Sequence, residues 1–118
     1  MRDHPKLRAF ELADQLALHI YTITRAFPAE ERFGLVSQMR RAALSTACNI
    51  VEGCARHTEG DFLRFLDMAY GSAPELEYQV SLAHRLGYLD DEEHERTTAS
   101  AVEVCKVLNG LIRSIRAS

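Results

Sequence analysis

The chain has 118 residues, 47% of them hydrophobic and 26% charged, and a formal net charge of −3. That bounds it to one globular domain, long enough to bury a core without disulfide or metal staples. An acidic chain of this size is not a general polyanion binder, and no apolar run approaches the roughly 18 residues that span a bilayer.

The charge is uneven. Residues 1–58 carry eight Lys/Arg against six Asp/Glu, and residues 59–118 carry six against eleven. A nucleic-acid contact therefore needs a local basic face, summed over subunits. The N-terminal stretch holds acids and no continuous apolar segment, so it does not read as a signal peptide. Cys48, Cys54 and Cys105 are odd in number, widely spaced and set in apolar-periodic segments. They read as small buried residues of a reducing cytoplasm.

In chain order, Asp3, His4 and Pro5 suit a helix start, a cap followed by a first-turn proline. The spacing predicts a helix over 6–27, with Phe10, Ala13, Leu16, Ala17, Ile20, Ile23, Thr24 and Phe27 on one face. Pro28 ends it, because proline lacks an N–H and restricts the residue before it. His19 reads as an edge residue rather than a ligand. Residues 29–33 make a short turn.

The second helix is predicted over 34–56 and organises the rest. At about 100° per residue, Leu35, Met39, Ala43, Thr46, Ile50 and Gly53 share a core face. Leu44, Ala47 and Val51 share a second apolar face. Gln38, Arg41, Ser45, Asn49, Glu52 and Arg56 share a polar one. A helix covering one side of a bundle needs one apolar stripe. The second stripe marks Leu44, Ala47 and Val51 as a candidate oligomer interface. Ala42, Ala43, Ser45, Ala47 and Cys48 are small enough to let a neighbouring helix approach.

A third helix is predicted over 59–86, capped by Thr58 with Asp61 three residues on. Its core stripe is Phe62, Phe65, Leu66, Ala69, Ala73, Leu76, Val80 and Ala83, and Gly87 stops it. Pro74 lies in its middle, at a cost of about 3 kcal/mol unless a kink absorbs it. Glu77 sits beside the stripe and is expected to pair with an arginine of the second helix. The fourth helix, over 91–116, opens on an Asp90–Glu93 capping box. Its stripe is Thr98, Ala101, Val102, Cys105, Leu108, Leu111, Ile112 and Ile115, and Arg113 and Arg116 occupy the last turns. Four amphipathic helices with short connections make an all-α, antiparallel up-down four-helix bundle.

No motif carries chemistry. There is no Glu-x-x-His, the five histidines are scattered, and the six glycines form no phosphate-cradling loop. His57 lies near Cys54, but a buried structural cysteine is the simpler reading. No catalytic residue, metal ligand or cofactor is expected. Arg40, Arg41, Arg56 and Arg64 are candidate nucleic-acid-binding residues. The competing reading is a solvated surface with pairs such as Glu52–Arg56. Lys6, Arg8, Arg113 and Arg116 form a second cluster if the first helix starts beside the end of the fourth. Phe33, Tyr70, Tyr78 and Tyr88 are the aromatics available for base stacking.

The wording of the second helix resembles a known family, the four-helix-bundle proteins encoded in intervening sequences of 23S ribosomal RNA genes. The matching residues are Glu31, Arg32, Phe33, Gly34, Leu35, Ser37, Gln38, Met39, Arg40, Arg41, Ala42, Ala43 and Ser45, then Asn49, Ile50, Glu52 and Gly53. Later matches are residues 62–66, 71–72, 75–77, 86–89 and 108–112. The resemblance implies a bundle assembled into a ring-like homopentamer. A related bundle, the accessory variability protein of diversity-generating retroelements, is a basic pentamer that binds nucleic acid and a reverse transcriptase. For this chain the resemblance implies an oligomeric binding or scaffold protein; with the second stripe and the four arginines, the leading reading is a non-catalytic cytoplasmic homo-oligomer with RNA or a ribonucleoprotein as partner. The alternative is a protein-interaction scaffold without nucleic-acid affinity, which the acidic C-terminal half favours.

Overall fold

Four helices run up and down in a square array: α1 (Arg8–Thr24), α2 (Leu35–Cys54), α3 (Glu59–Arg85) and α4 (Asp91–Ala117). The computed structural model describes residues 2, 3 and 7–118, so the helix start expected at His4, Pro5 and Lys6 lies outside the described residues. A single 3-10 turn, Ala29–Glu31, links α1 to α2, and no strand is present among the described residues. Each helix neighbours the next in the chain, and α4 closes back on α1, while the diagonal pairs are not neighbours. The array measures 45 × 23 × 20 Å.

The core runs the length of the array. Ile20 of α1, Met39 and Ile50 of α2, Leu66, Leu76 and Val80 of α3, and Val104 and Leu108 of α4 are fully buried. Thr46 and Thr97 are the fully buried polar side chains. Each satisfies its hydroxyl, as burial demands. Thr46 donates to the Ala42 carbonyl at 2.9 Å and Thr97 to Glu93 Oε2 at 3.0 Å.

α1 ends at Thr24, three residues short of Phe27. The Thr24 hydroxyl donates back to the Ile20 carbonyl at 2.7 Å, and the Phe27 N–H donates to the Thr24 carbonyl at 3.2 Å. Phe27 is buried from the turn, its ring 5.3 Å from that of Tyr88. Phe10 and Ile23 are half-buried, and Ala9 takes a core place that periodicity did not mark.

α4 is rotated from expectation. Thr97, Ala101, Val104, Leu108 and Ile112 face the core, whereas Thr98, Val102 and Cys105 are half-buried on its flank. The two stripes run side by side with similar apolarity, so spacing alone does not separate them. The thiols also depart from a common buried fate. Cys54 is buried, Cys105 is intermediate and Cys48 is exposed.

Side chains close the helix ends. Thr58 Oγ1 accepts from the Asp61 N–H at 3.1 Å, and Asp90 Oδ1 from the Glu93 N–H at 2.8 Å. The Glu93 carboxylate does not complete its box. It crosses to His19 Nε2 of α1 at 2.7 Å. α2 starts after Gly34, which has no side chain to cap with, so Glu31 Oε1 accepts from the Leu35 N–H at 3.2 Å. Gly87 turns α3 into α4 at φ +84°, a left-handed conformation that glycine adopts without strain.

Two features of α3 settle how it lies. Pro74 is exposed and α3 passes it without a break, so the missing hydrogen bond falls on the solvent side. Glu77 is not paired with an arginine of α2, as had been expected. It sits on the α4 side of α3, close enough to Cys105 to push that thiol upward, after the larger effect of burial. At Gly53, α2 and α3 approach closely: a Cβ there would lie 3.0 Å from Phe65 Cβ and 3.2 Å from Phe62 Cδ1.

Candidate functional site

The second apolar stripe of α2 does not stand clear of the core along its whole length. Leu44 is 46% exposed and Val51 is half-buried, whereas Ala47 is only 8% exposed and belongs to the core. α2 has neighbours on two sides, α1 and α3, so its buried arc is wide enough to take in Ala47. Other large apolar side chains are exposed on α1 and just before α2. Leu18 and Tyr21 project from α1 at 65% and 37% exposure, and Phe33, just before α2, is 84% exposed. Tyr21, Phe33, Val36 and Leu44 line one groove of about 470 Å³ together with Arg32 and Arg40. The Arg32 guanidinium lies 4.9 Å from the Phe33 ring centre.

The four candidate arginines do not form one patch. Arg40 is a clamp on the end of α1: its Nε donates to Thr24 Oγ1 at 3.0 Å and a terminal nitrogen to the Tyr21 carbonyl at 3.4 Å. Its guanidinium also lies 4.7 Å from the Tyr21 ring centre. Arg56 and Arg64 meet at the other end of the bundle, on Phe65. They lie 5.5 and 4.7 Å from its ring centre and pair with Glu52 at 2.9 Å and Asp61 at 3.7 Å. Arg41 is exposed and, among the described residues, holds no hydrogen bond or ion pair. It stands on the outer ridge of α2, lining the α1–α2 groove on one side and a cleft against α3 on the other. Arg41 and Arg56 are separated by roughly 22 Å along the helix axis, at about 1.5 Å per residue.

That cleft, of about 100 Å³, is lined by Gln38, Arg41, Ser45, Ser72, Glu75 and Gln79. Ser45 and Ser72 join across it, Oγ to Oγ at 3.0 Å. Asn49 Nδ2 donates to Ser45 Oγ at 3.0 Å and to the Ser45 carbonyl at 2.9 Å. Gln79 Oε1 is buried without a hydrogen-bond partner.

A larger groove of about 440 Å³ lies between α1 and α4, lined by Leu12, Gln15, Leu16, His19, Ala99 and Glu103 among others. His19 Nε2 is engaged there by Glu93 and by Thr97 Oγ1 at 3.2 Å. Among the described residues no group of three or more His, Cys, Asp or Glu is placed to hold a metal ion. The Cys54 thiol is pushed up by burial, against a smaller lowering from Arg2, which disfavours the nucleophilic thiolate. Among the described residues no helix is long and apolar enough to cross a membrane.

Two of the residues expected to form a second basic cluster at the helix ends have acidic partners. Arg116 pairs with Asp67 of α3 at 2.7 Å, Arg8 with Glu11 at 3.4 Å, and Lys6 lies outside the described residues. Sequence reasoning missed Arg2 instead. Its N–H donates to the Cys54 carbonyl at 3.0 Å and its guanidinium lies 4.0 Å from the Phe62 ring centre, beside the Arg56–Arg64 corner. It also missed the Gln79 orphan, which no pattern in the chain announces. The pairing of Arg32 with Phe33 was legible as adjacency, but their exposure was not.

Residues 5–110 match the family model described as 23S rRNA-intervening sequence protein. No curated protein matches the chain. Among solved structures, it is similar to a 1.70 Å crystal structure of a protein of unknown function from the S23 ribosomal protein family of Bacteroides thetaiotaomicron. The TM-score is 0.83, with 25% identity over 89% of this chain and 95% of that one. The matched span reaches from before α1 into the last turns of α4, and the chain belongs to the 23S rRNA-intervening sequence protein family.

Proposed function

We propose that the chain is a non-catalytic, self-associating bundle of the cytoplasm, built into a ring-like homopentamer, that contacts RNA through the arginines of its α2–α3 side. The observation that carries the assembly is the α1–α2 face. Tyr21, Phe33 and Leu44 are large, apolar and exposed around one groove of a small domain. Grouped apolar exposure of this kind marks a surface that another molecule covers. The RNA contact is supported by Arg41, which has no hydrogen bond or ion pair among the described residues, and by the Arg56–Arg64 pair on Phe65.

A second reading, a protein scaffold without nucleic-acid affinity, is favoured by a different observation. Arg40, Arg56 and Arg64 are all engaged within the protomer, and the net charge is −3. Solution mass from light scattering, with and without a mixed RNA pool at low and moderate salt, separates the two. A pentamer that gains mass with RNA and loses it with salt supports the RNA reading. A pentamer indifferent to RNA supports the scaffold, and a monomer removes the assembly altogether.

A further inference from the structure

We infer that the cleft between α2 and α3 receives the amino edge of an unstacked nucleobase, with Arg41 on the adjoining phosphate. This rests on the RNA reading above and specifies its chemistry. The hydroxyl protons of the cleft are already committed. The Ser72 hydroxyl donates to the Met68 carbonyl at 3.3 Å, so the Ser45–Ser72 contact uses the Ser45 proton. Asn49 donates to Ser45 in turn. Both hydroxyl protons are thus spent inside the protein, while each hydroxyl oxygen keeps room to accept. Gln79 Oε1 is a further acceptor, already buried and unmatched, and Glu75 adds a carboxylate to the lining. Oxygen acceptors thus outnumber the amide donors of Gln38 and Gln79 in the cleft, and the unmatched one of Gln79 is unfavourable until a donor arrives.

The guanidinium of Arg41 supplies the opposite demand at the rim of the same cleft. A suitable ligand brings N–H donors inward and leaves an anion outside. A lysine or arginine of a protein partner would satisfy the acceptors and meet the Glu75 carboxylate, but would set a second positive charge beside Arg41 and leave that guanidinium without an anion. A base with an exocyclic amine is neutral, and its own backbone provides the phosphate. The volume of about 100 Å³ admits a base edge, not a whole nucleoside. Cytosine, adenine and guanine carry such an amine. Uracil does not: its single N–H is flanked by two carbonyls, which would face oxygen acceptors.

The test is fluorescence anisotropy of the full chain with short single-stranded oligonucleotides of cytidine, adenosine or uridine, at matched length and salt. Cytidine and adenosine are expected to bind about tenfold more tightly than uridine. Gln79→Leu and, separately, Ser45→Ala bring cytidine down to the level of uridine without changing uridine itself. Arg41→Gln weakens all three alike and flattens the salt dependence. Circular dichroism confirms that each variant keeps its helices. Equal binding of the three oligonucleotides, or a preference that survives both Gln79→Leu and Ser45→Ala, overturns the cleft while the RNA reading stands. Binding of none overturns both. Gln79-dependent capture of a lysine-rich peptide, with no oligonucleotide bound, also overturns the proposal and assigns the cleft to a cationic protein.

Discussion

The Tyr88 hydroxyl donates to Glu31 Oε2 at 2.8 Å, while the other oxygen of the same carboxylate accepts from the Leu35 N–H at 3.2 Å. One side chain thus caps α2 and fastens the α3–α4 turn to it. Replacing it by Glu31→Ala removes both bonds. Loss of the cap alone is worth roughly 1 kcal/mol. The expected outcome is a lower urea midpoint with an unchanged slope. Tyr88→Phe should cost less, because the ring keeps its place on Phe27.

The same bond makes stability fall at high pH. The hydrogen bond to Glu31 raises the Tyr88 phenol above its ordinary value of 10.0, with burial as a smaller cause. The folded state therefore favours the neutral phenol. Its stabilising contribution is complete below the ordinary phenol value and is lost as pH rises from there through the raised value. Urea unfolding across that window should show a steeper decline in the native chain than in Tyr88→Phe. Parallel declines in the two would count against this assignment.

Two glycine-to-alanine changes should have opposite signs. Gly110 lies inside α4 with nothing within 4 Å of an added Cβ, so Gly110→Ala should stabilise by about 0.5–1 kcal/mol. Gly53 is also helical, but its Cβ would press on the backbone-proximal Cβ of Phe65. Overpacking of this kind costs roughly 1–3 kcal/mol, which exceeds the gain in helix propensity. Thermal melts of both variants check the contrast.

Pro74, in α3, is a third site where a helix departs from its best local sequence. Pro74→Ala restores an N–H that can donate to the Tyr70 carbonyl. It should raise stability by up to about 3 kcal/mol, read from denaturant unfolding. An unchanged midpoint would mean that the chain around Pro74 has already absorbed the cost.

On the α1–α2 face, the paired change Phe33→Asp with Leu44→Asp should lower the solution mass while leaving helicity intact. Both positions are exposed, so the substitutions remove no core contact. Ala47→Asp serves as the contrast. It buries a charge within the protomer and should unfold it. Unaltered mass in the double variant would place the self-association elsewhere.

Much of this was readable in the chain. The core face of α2, from Leu35 to Gly53, emerged from its period, and the caps at Thr58 and Asp90 from their residue types. What escaped depended on partners far along the sequence. Ala47 looks like Leu44 until α1 is set beside α2. Thr97 and Thr98 are the same residue, and only packing against two neighbouring helices decides which faces inward. Arg40 reads as half of a basic pair, yet its reach to Thr24 makes it a clasp between helices. The orphan oxygen of Gln79 belongs to a residue of the cleft between α2 and α3, which no local pattern marks.

An even number of up-down helices has a practical corollary. Arg2 rests on the last carbonyl of α2, and Arg116 reaches Asp67 near the start of α3, so both chain ends emerge from one pole. A reporter protein joined to either terminus hangs from that pole, beside Arg56 and Arg64. The opposite pole, where Glu31 meets Tyr88, stays unobstructed. Fusions at either end would thus crowd the same basic corner, and a short loop insertion at the far pole is the better place to attach a label.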